Sequence, residues 1–498
     1  MSLPARSYPQ VCVLLLALYS MDTHADSCPP PPNPEDVLFA DCFKSGDTSA
    51  WASTVGGGGE PAPQNGIIPG AEFAVGATAG DQGRPQAAAD AAGNFVVVWD
   101  SSASPGGSDS LGLSIQSLVF DSDATVTVSQ MQVNTYTTGD QSDPEVARHP
   151  DGDFVVVWRS TESSMDDSYG SIQAQRFGSD GSPIGSEFQV NSYTTGDQRN
   201  PSVAIASSNR DFAVVWESDG SPDSDSGGFS IQGQRYASDG SAVGGQFQVN
   251  SDTTGMQTRA QVTFGSGGDF LVVWQSDSSS INGGSGIFGQ SFDAAGMSLG
   301  SEFALSSSTT EYQYAPQMVG TAEGGFVVVW ENKRSTYPSS DRRGEPIFRI
   351  RGTGSTTLRD NGVLLAGFDV SGGGDQSEND PALTIDSEGN LVVVWRRQDP
   401  LNSGLLGRTL LLTDNDADPT SAVFPIGRGE PNESRGLPVV VFTTERTEES
   451  EGRFEVIFQE QDARRLRGPS QDVTGQRFII GPPELFADGF ESGDLSAW

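Results

Sequence analysis

Oxygen ligands crowd two short stretches of this chain. Asp219, Asp223 and Asp225 stand close together among Gly and Ser, and Asp414, Asp416 and Asp418 alternate in D-N-D-A-D. Calcium is a hard cation that takes roughly six to eight oxygens from carboxylates and carbonyls, and flexible acidic loops can supply them. The second stretch opens like a D-x-D-x-D calcium loop but meets Pro419 where glycine would allow the sharp turn, so it is no EF-hand. The competing reading is that these residues end strands and make turns by bonding nearby backbone amides. A third cluster has the opposite sign. Arg334, Arg342 and Arg343 lie in a cationic stretch between Lys333 and Arg351, where guanidinium groups could grip the carboxylate of an acidic sugar in bidentate fashion or simply balance acidic neighbours in a solvated loop.

Enzymatic chemistry has few other footholds. His149 is the only histidine beyond the first 25 residues, so a Ser-His-Asp or Cys-His arrangement would have to use it and a multi-histidine zinc site is excluded. Its setting, His149-Pro150-Asp151-Gly152-Asp153, reads as a turn. No Walker loop or H-E-x-x-H motif occurs. Glycoside hydrolysis needs only two suitably spaced carboxylates, which 66 acidic residues leave open, although no sialidase-type S-x-D-x-G-x-x-W box is present.

The elements that must position these groups repeat. A hydrophobic pentad recurs at Phe95 to Trp99, Phe154 to Trp158, Phe212 to Trp216, Phe270 to Trp274, Phe326 to Trp330, Leu391 to Trp395 and, degenerate, Phe454 to Phe458. A period of about 58 residues marks a propeller, solenoid or array. Each copy holds four strand-like pieces: an E-F-x-V piece (Phe73, Phe188, Phe247, Phe303, Phe368, Phe424, with Val126 to Asn134 standing in once), a Pro-led piece, the pentad, and an I-x-x-Q-x-F piece. Turn residues between β-branched and aromatic runs, without helical periodicity, predict an all-β chain. The expectation is a β-propeller of seven four-stranded blades, with the N-terminal strand completing the last. Separate small sandwiches are the rival, disfavoured because units this short make thin cores.

In that arrangement the Pro-led strand is innermost, opened by a Pro that needs no N–H donor. The pentad is buried on both faces and its Trp packs between blades. The recurrent Gln82, Gln141, Gln198, Gln257, Gln313 and Gln376 suggest a blade-to-blade bond to backbone. Turns holding Asp81, Asp140, Asp197 and Asp375 should share one face with those holding Asp109, Asp166, Asp167, Asp219, Asp223, Asp225 and Asp277. That face would be acidic, and such loops commonly carry function.

Charge and export features set the context. A formal net charge of -38 argues against nucleic acid or an anionic membrane as partner. Residues 1–25, with Arg6, the apolar run Val11 to Tyr19 and Thr23-His24-Ala25, have the layout of a secretory signal, and no segment is long enough to make a transmembrane helix. Cys28 and Cys42 then allow one disulfide outside the repeats. Residues 26–65 read as a terminal motif with Pro- and Gly-rich linkers, 66–480 as the propeller and 481–498 as a second terminal motif.

Gly185 to Trp216, followed by Ile231 to Tyr236, resembles repeats of large secreted bacterial proteins of the haemolysin-type, adhesin-like class. The resemblance implies an extracellular or cell-surface protein with calcium-linked modules, although the G-G-x-G-x-D nonapeptides of that class are missing here. Leu38 to Trp51 and Leu485 to Trp498 are near-copies, resembling a short tag near the termini of secreted bacterial proteins. The expectation is a secreted, surface or periplasmic binding module for an extracellular glycan or protein, with calcium as its candidate ion. The alternatives are a propeller glycoside hydrolase and a structural envelope protein.

Overall fold

A run of five apolar residues offers water no polar face, so the strand that carries it must be covered on both sides. The computed structural model meets this with small antiparallel sheets arranged in a ring, a β-propeller. It describes residues 67–480 except 77–79, 105–111, 163–168, 222–227, 278–285, 306–310, 323, 335–343, 352–376, 399–403, 413–416, 422, 427–432, 445–451 and 463–469. Among the described residues there are seven sheets, six with four or more strands and one with three. The three-stranded sheet is the fifth blade, whose expected outer piece at Phe368 lies outside the described residues.

The second blade shows the plan. Gln141–Arg148 is innermost, then Phe154–Ser160, Ser171–Phe177 and, outermost, Pro183–Gln189. The other inner strands are Gln82–Ala89, Gln198–Ile205, Gln257–Phe264, Glu311–Gly320, Ser377–Ile385 and Glu433–Thr444. Each touches the next, and the seventh touches the first, so together they surround a central channel.

Alternation along the pentads builds the seams. Phe154, Val156 and Trp158 pack with Val96, Val98 and Ile115 of the first blade. Val155 and Val157 pack with Phe212, Val214 and Trp216 of the third. The third blade repeats the pattern towards the fourth through Ala213 and Val215. Every Trp of the six regular pentads is buried between blades, as expected.

The Trp indole also settles the role of the recurrent glutamines. Trp158, Trp216 and Trp274 donate Nε1–H to the side-chain carbonyls of Gln141, Gln198 and Gln257 of their own blades, at 2.9, 2.9 and 3.1 Å. The same three Gln amides donate to the carbonyls of Thr138, Thr195 and Thr254 in the preceding turns. The expected blade-to-blade backbone bond occurs at Gln82, whose Oε1 accepts the Val473 N–H at 3.3 Å. At Gln141, Gln198 and Gln257 the indole takes the carbonyl.

Ring closure follows the expected scheme. Ile67–Ala74 pairs antiparallel with Ser470–Ile480, Ile67 opposite Ile480, and completes the seventh blade. A repeated arginine crosses the seams: Arg176 donates to Ser238 O at 2.8 Å and Arg477 to Ser122 O of the first blade at 2.8 Å. The Phe of the outer strand lies across a glycine of the third strand in several blades, as Phe247 does on Gly233 and Phe73 on Gly475. A Cβ at Gly475 would lie 2.3 Å from the Phe73 ring. Gly475→Val should therefore unseat the closing strand and cost about 1–3 kcal/mol, read as a lower midpoint in denaturant unfolding. An unchanged midpoint would show that Ile67–Ala74 contributes little to closure.

Candidate functional site

The proline of each inner strand does not open it. The strand begins at Gln82, Gln141, Gln198 or Gln257, and Pro85, Pro144 and Pro201 follow three residues later. Between these points the register slips by one residue, a bulge repeated in all seven blades. Proline is tolerated because the inner edge faces the channel and pairs with no strand. The residue just before it, or before Ala260 where the fourth blade lacks the proline, takes a left-handed conformation in six blades: Arg84, Asp143, Asn200, Arg259, Ala315 and Asp380, with φ between 48° and 56°. A non-glycine residue there costs on the order of 1–3 kcal/mol.

The preceding blade supplies the compensation. Directly after each Trp stands a polar residue, and where it can accept, it takes the N–H of the next blade's left-handed residue. Asp100 accepts from Asp143, Glu217 Oε1 from Arg259 at 2.7 Å, Gln275 Oε1 from Ala315 at 3.2 Å and Glu331 Oε1 from Asp380 at 2.9 Å. Hydrogen bonds to charged acceptors contribute roughly 1.5–3 kcal/mol, comparable with the strain. Arg159 and Arg396 occupy the same position and cannot accept. Arg159 instead reaches Asp197 Oδ1 at 2.8 Å, and Arg396 lies 3.4 Å from Asp380.

Two concentric sets of polar groups thus ring one mouth of the channel. On the first two blades Arg84 bridges Asp100 at 2.6 Å and Asp143 at 3.0 Å. Burial raises the Asp100 carboxyl above its ordinary range, with Arg84 opposing. Glu145, two residues beyond Asp143 on the same inner strand, is half-buried. Desolvation, with the Asp143 charge second, pushes its carboxyl up to about 8. On the third blade, buried Glu217 also receives Arg199 Nε and Asn200 Nδ2, both at 2.8 Å.

Among the described residues the turns at Asp81, Asp140 and Asp197 do share this face with those at Asp219 and Asp277, while Asp109, Asp166, Asp167 and Asp375 lie outside the described residues. Backbone bonds tie them together: Ser102 N to Asp81 O, Thr161 N to Asp140 O and Asp219 N to Asp197 O, at 2.8–2.9 Å. Their carboxylates largely serve the turns, as where Asp140 Oδ1 accepts Leu113 N–H and Asp277 Oδ1 accepts Met256 N–H. Asp219 ends its strand, exposed. Asp223, Asp225, Asp414 and Asp416 lie outside the described residues, as do Arg342, Arg343 and both terminal motifs, and the side chains of Asp418 and Arg334 are likewise not described. Among the described residues no three His, Cys, Asp or Glu converge on a metal position. His149 lies in the turn between inner and second strands, at the opposite face, its Nδ1 accepting Asp151 N–H at 3.1 Å.

Sequence reasoning missed the polar ring. Its signal was there in the residues after the pentads, Asp100, Arg159, Glu217, Gln275, Glu331, Arg396 and Gln459, every one polar behind an apolar run. A separate cleft of about 510 Å³ lies between the outer strands of the second and third blades, lined by Phe188 and Tyr236 among others. It contains none of the ring residues, and Arg176 beside it is engaged by Ser238 O.

No family model matches the chain, and no curated protein matches it. Among solved structures it is similar to a PL25 ulvan lyase bound to -[GlcA(1-4)Rha3S]- (9% identity, 82% of this chain and 95% of that chain, TM-score 0.48). A protein of unknown function from Dyadobacter fermentans (12%, 68% and 95%, 0.45) and an α-L-arabinofuranosidase from Fusarium graminearum (10%, 68% and 92%, 0.44) are also similar. These likenesses assign no residues, and the site rests on its own geometry.

Two outcomes test this geometry. Glu217→Ala frees the Arg259 N–H and both Arg199 and Asn200, and should cost about 2–4 kcal/mol in denaturant unfolding; a loss within about 0.5 kcal/mol would dismiss the latch. Glu145, raised in the folded chain from an ordinary 4.5 to about 8, contributes stability that is full below pH about 4.5 and lost as pH rises through about 8. The stability difference between wild type and Glu145→Gln should therefore move against wild type from pH 5 to 9, measured by thermal melts.

Proposed function

We propose that the protein is a secreted or cell-surface propeller that binds an extended glycan across the polar mouth of its channel. One observation carries this reading: the bulged backbone repeats from blade to blade while its side chains do not. Arg84, Asp143, Asn200, Arg259, Ala315 and Asp380 share one conformation and differ in chemistry. A purely structural role would need only the backbone, which acceptors of the preceding blades already hold at Asp143, Arg259, Ala315 and Asp380. Planar guanidinium, amide and carboxylate groups on a rigid frame suit the hydroxyl pairs of sugars, and pre-organisation lowers the entropic cost of binding. The leader-like N-terminus supports an extracytoplasmic setting.

The test is a glycan screen with the chain lacking residues 1–25, run with calcium and with chelator. A wild-type hit should weaken about tenfold in Arg84→Ala, while Arg210→Ala, on the opposite face, should bind as wild type. Equal loss in both variants, or no hit, would count against the reading. Dependence on calcium would bring the acidic turns into the site.

Glu145 favours a second reading, glycoside hydrolysis. A carboxyl held protonated at neutral pH beside the Arg84-paired Asp143 has the character of a general acid next to an ionised partner. Release of reducing sugar, abolished in Glu145→Gln with binding retained, would establish it; binding without products excludes it.

A further inference from the structure

Within the polar ring, the seam of the third and fourth blades differs from the others. Arg199 lies with its guanidinium carbon 3.7 Å from the centroid of the Phe229 ring. Its Nε donates to Glu217 Oε2 at 2.8 Å, so the plane of the guanidinium is fixed twice, by a ring face and by a buried carboxylate. Among the described residues neither of its terminal nitrogens has an acceptor. The same Glu217 holds the Asn200 amide at 2.8 Å and the Arg259 backbone at 2.7 Å. The Asn200 and Arg259 side chains are exposed, and the Arg259 guanidinium has no ion pair among the described residues. Arg199 is 36% exposed, while Glu217 beneath it is 1% exposed.

One buried carboxylate thus holds a guanidinium, an amide and the backbone that carries a second arginine at a single place on the mouth. The local balance is one positive charge in excess, in a chain where 66 acidic residues outnumber 28 basic ones. Elsewhere in the ring arginines are already neutralised: Arg84 between Asp100 and Asp143, Arg159 on Asp197, Arg396 near Asp380. Orientation by a buried acid and stacking on an aromatic face are what a guanidinium needs in order to meet a planar oxyanion with both terminal nitrogens.

We propose that Arg199, Asn200 and Arg259 form a subsite for the carboxylate of a uronic acid residue in an acidic polysaccharide. The proposal rests on the glycan-binding reading above and names the ligand class for it. Arg199 receives the carboxylate, Arg259 supplies the second charge across the seam, and Asn200 takes a neighbouring hydroxyl. Glu217 acts through them as a positioning residue. The acidic turns oppose a polyanion only over a short range, since charges more than about 8 Å apart are largely screened at physiological ionic strength.

The experiment measures binding of the chain lacking residues 1–25 to polygalacturonate, alginate and hyaluronate, each beside its carboxyl-reduced form, with dextran and dextran sulfate alongside. At ~0.15 M salt, at least one uronate polymer should bind roughly tenfold or more tightly than its reduced form. Arg259→Ala, which keeps the latched backbone N–H, should remove most of that preference, and so should Arg199→Gln in a variant whose melting curve is unchanged. Arg210→Ala should keep it. Equal binding of oxidised and reduced forms, or a preference that survives Arg259→Ala, overturns the subsite while glycan binding stands. Binding of dextran sulfate without any uronate polymer overturns the carboxylate assignment. Failure of every glycan overturns both this subsite and the reading on which it rests.

Discussion

Every blade presents both faces of its second strand to neighbours, so no blade can bury its core alone. Val155 and Val157 need the third blade to complete their cover, and Phe154, Val156 and Trp158 need the first. The requirement passes from seam to seam, and a chain of blades with two ends would leave one pentad face in water at each end. Closure is therefore a condition of the core. The pairing of Ile67–Ala74 with Ser470–Ile480 and the reach of Arg477 to Ser122 meet it. The buried indoles of Trp158, Trp216 and Trp274 add a polar demand, which Gln141, Gln198 and Gln257 at the starts of the inner strands satisfy.

That packing leaves the inner edges free for other work. An inner strand pairs on one side only, so a bulge and a proline are tolerated there, and the left-handed residue between them is turned to the mouth of the channel. The conformation is strained for Arg, Asp, Asn or Ala alike, and at Asp143, Arg259, Ala315 and Asp380 the acceptor after the preceding Trp stabilises it through the backbone. Because the latch uses only the N–H, the side chain at the bulge is unconstrained by the fold. The same device that closes a seam thus creates a position where chemistry can vary.

The architecture was legible because its strongest signal is a continuous apolar run, which survives in sequence whatever its partners are. The propeller class, strand order, closure by the N-terminal strand and the buried Trp positions all followed from it. The glutamines were legible as structural, but their partner was not: Gln141 meets Trp158 only through the register that places Gln141 opposite Ser160. The bulges were hidden for a different reason. A residue before proline is biased away from compact backbone conformations, so nothing in local preference announces a left-handed Arg84 or Asn200. The acidic turns drew attention by their number, yet Asp140 and Asp277 spend their oxygens on backbone amides.

Carboxylates on two different seams show how one residue type serves opposite ends. Glu217 is almost fully removed from water, but its oxygens receive a guanidinium, an amide and a backbone N–H, so its burial is compensated and it acts as a fixed acceptor. Glu145, half-buried, loses solvation with the Asp143 charge as its neighbour, and its carboxyl rises to about 8. Burial alone does not decide the behaviour of either group; the donors within reach do. The seam of the third and fourth blades is therefore rigid and cationic on its exposed side, whereas that of the first two holds a carboxyl that exchanges its proton near neutral pH. A glycan lying across the mouth would meet both environments within one ring, a grip on one side and a titrating acid on the other.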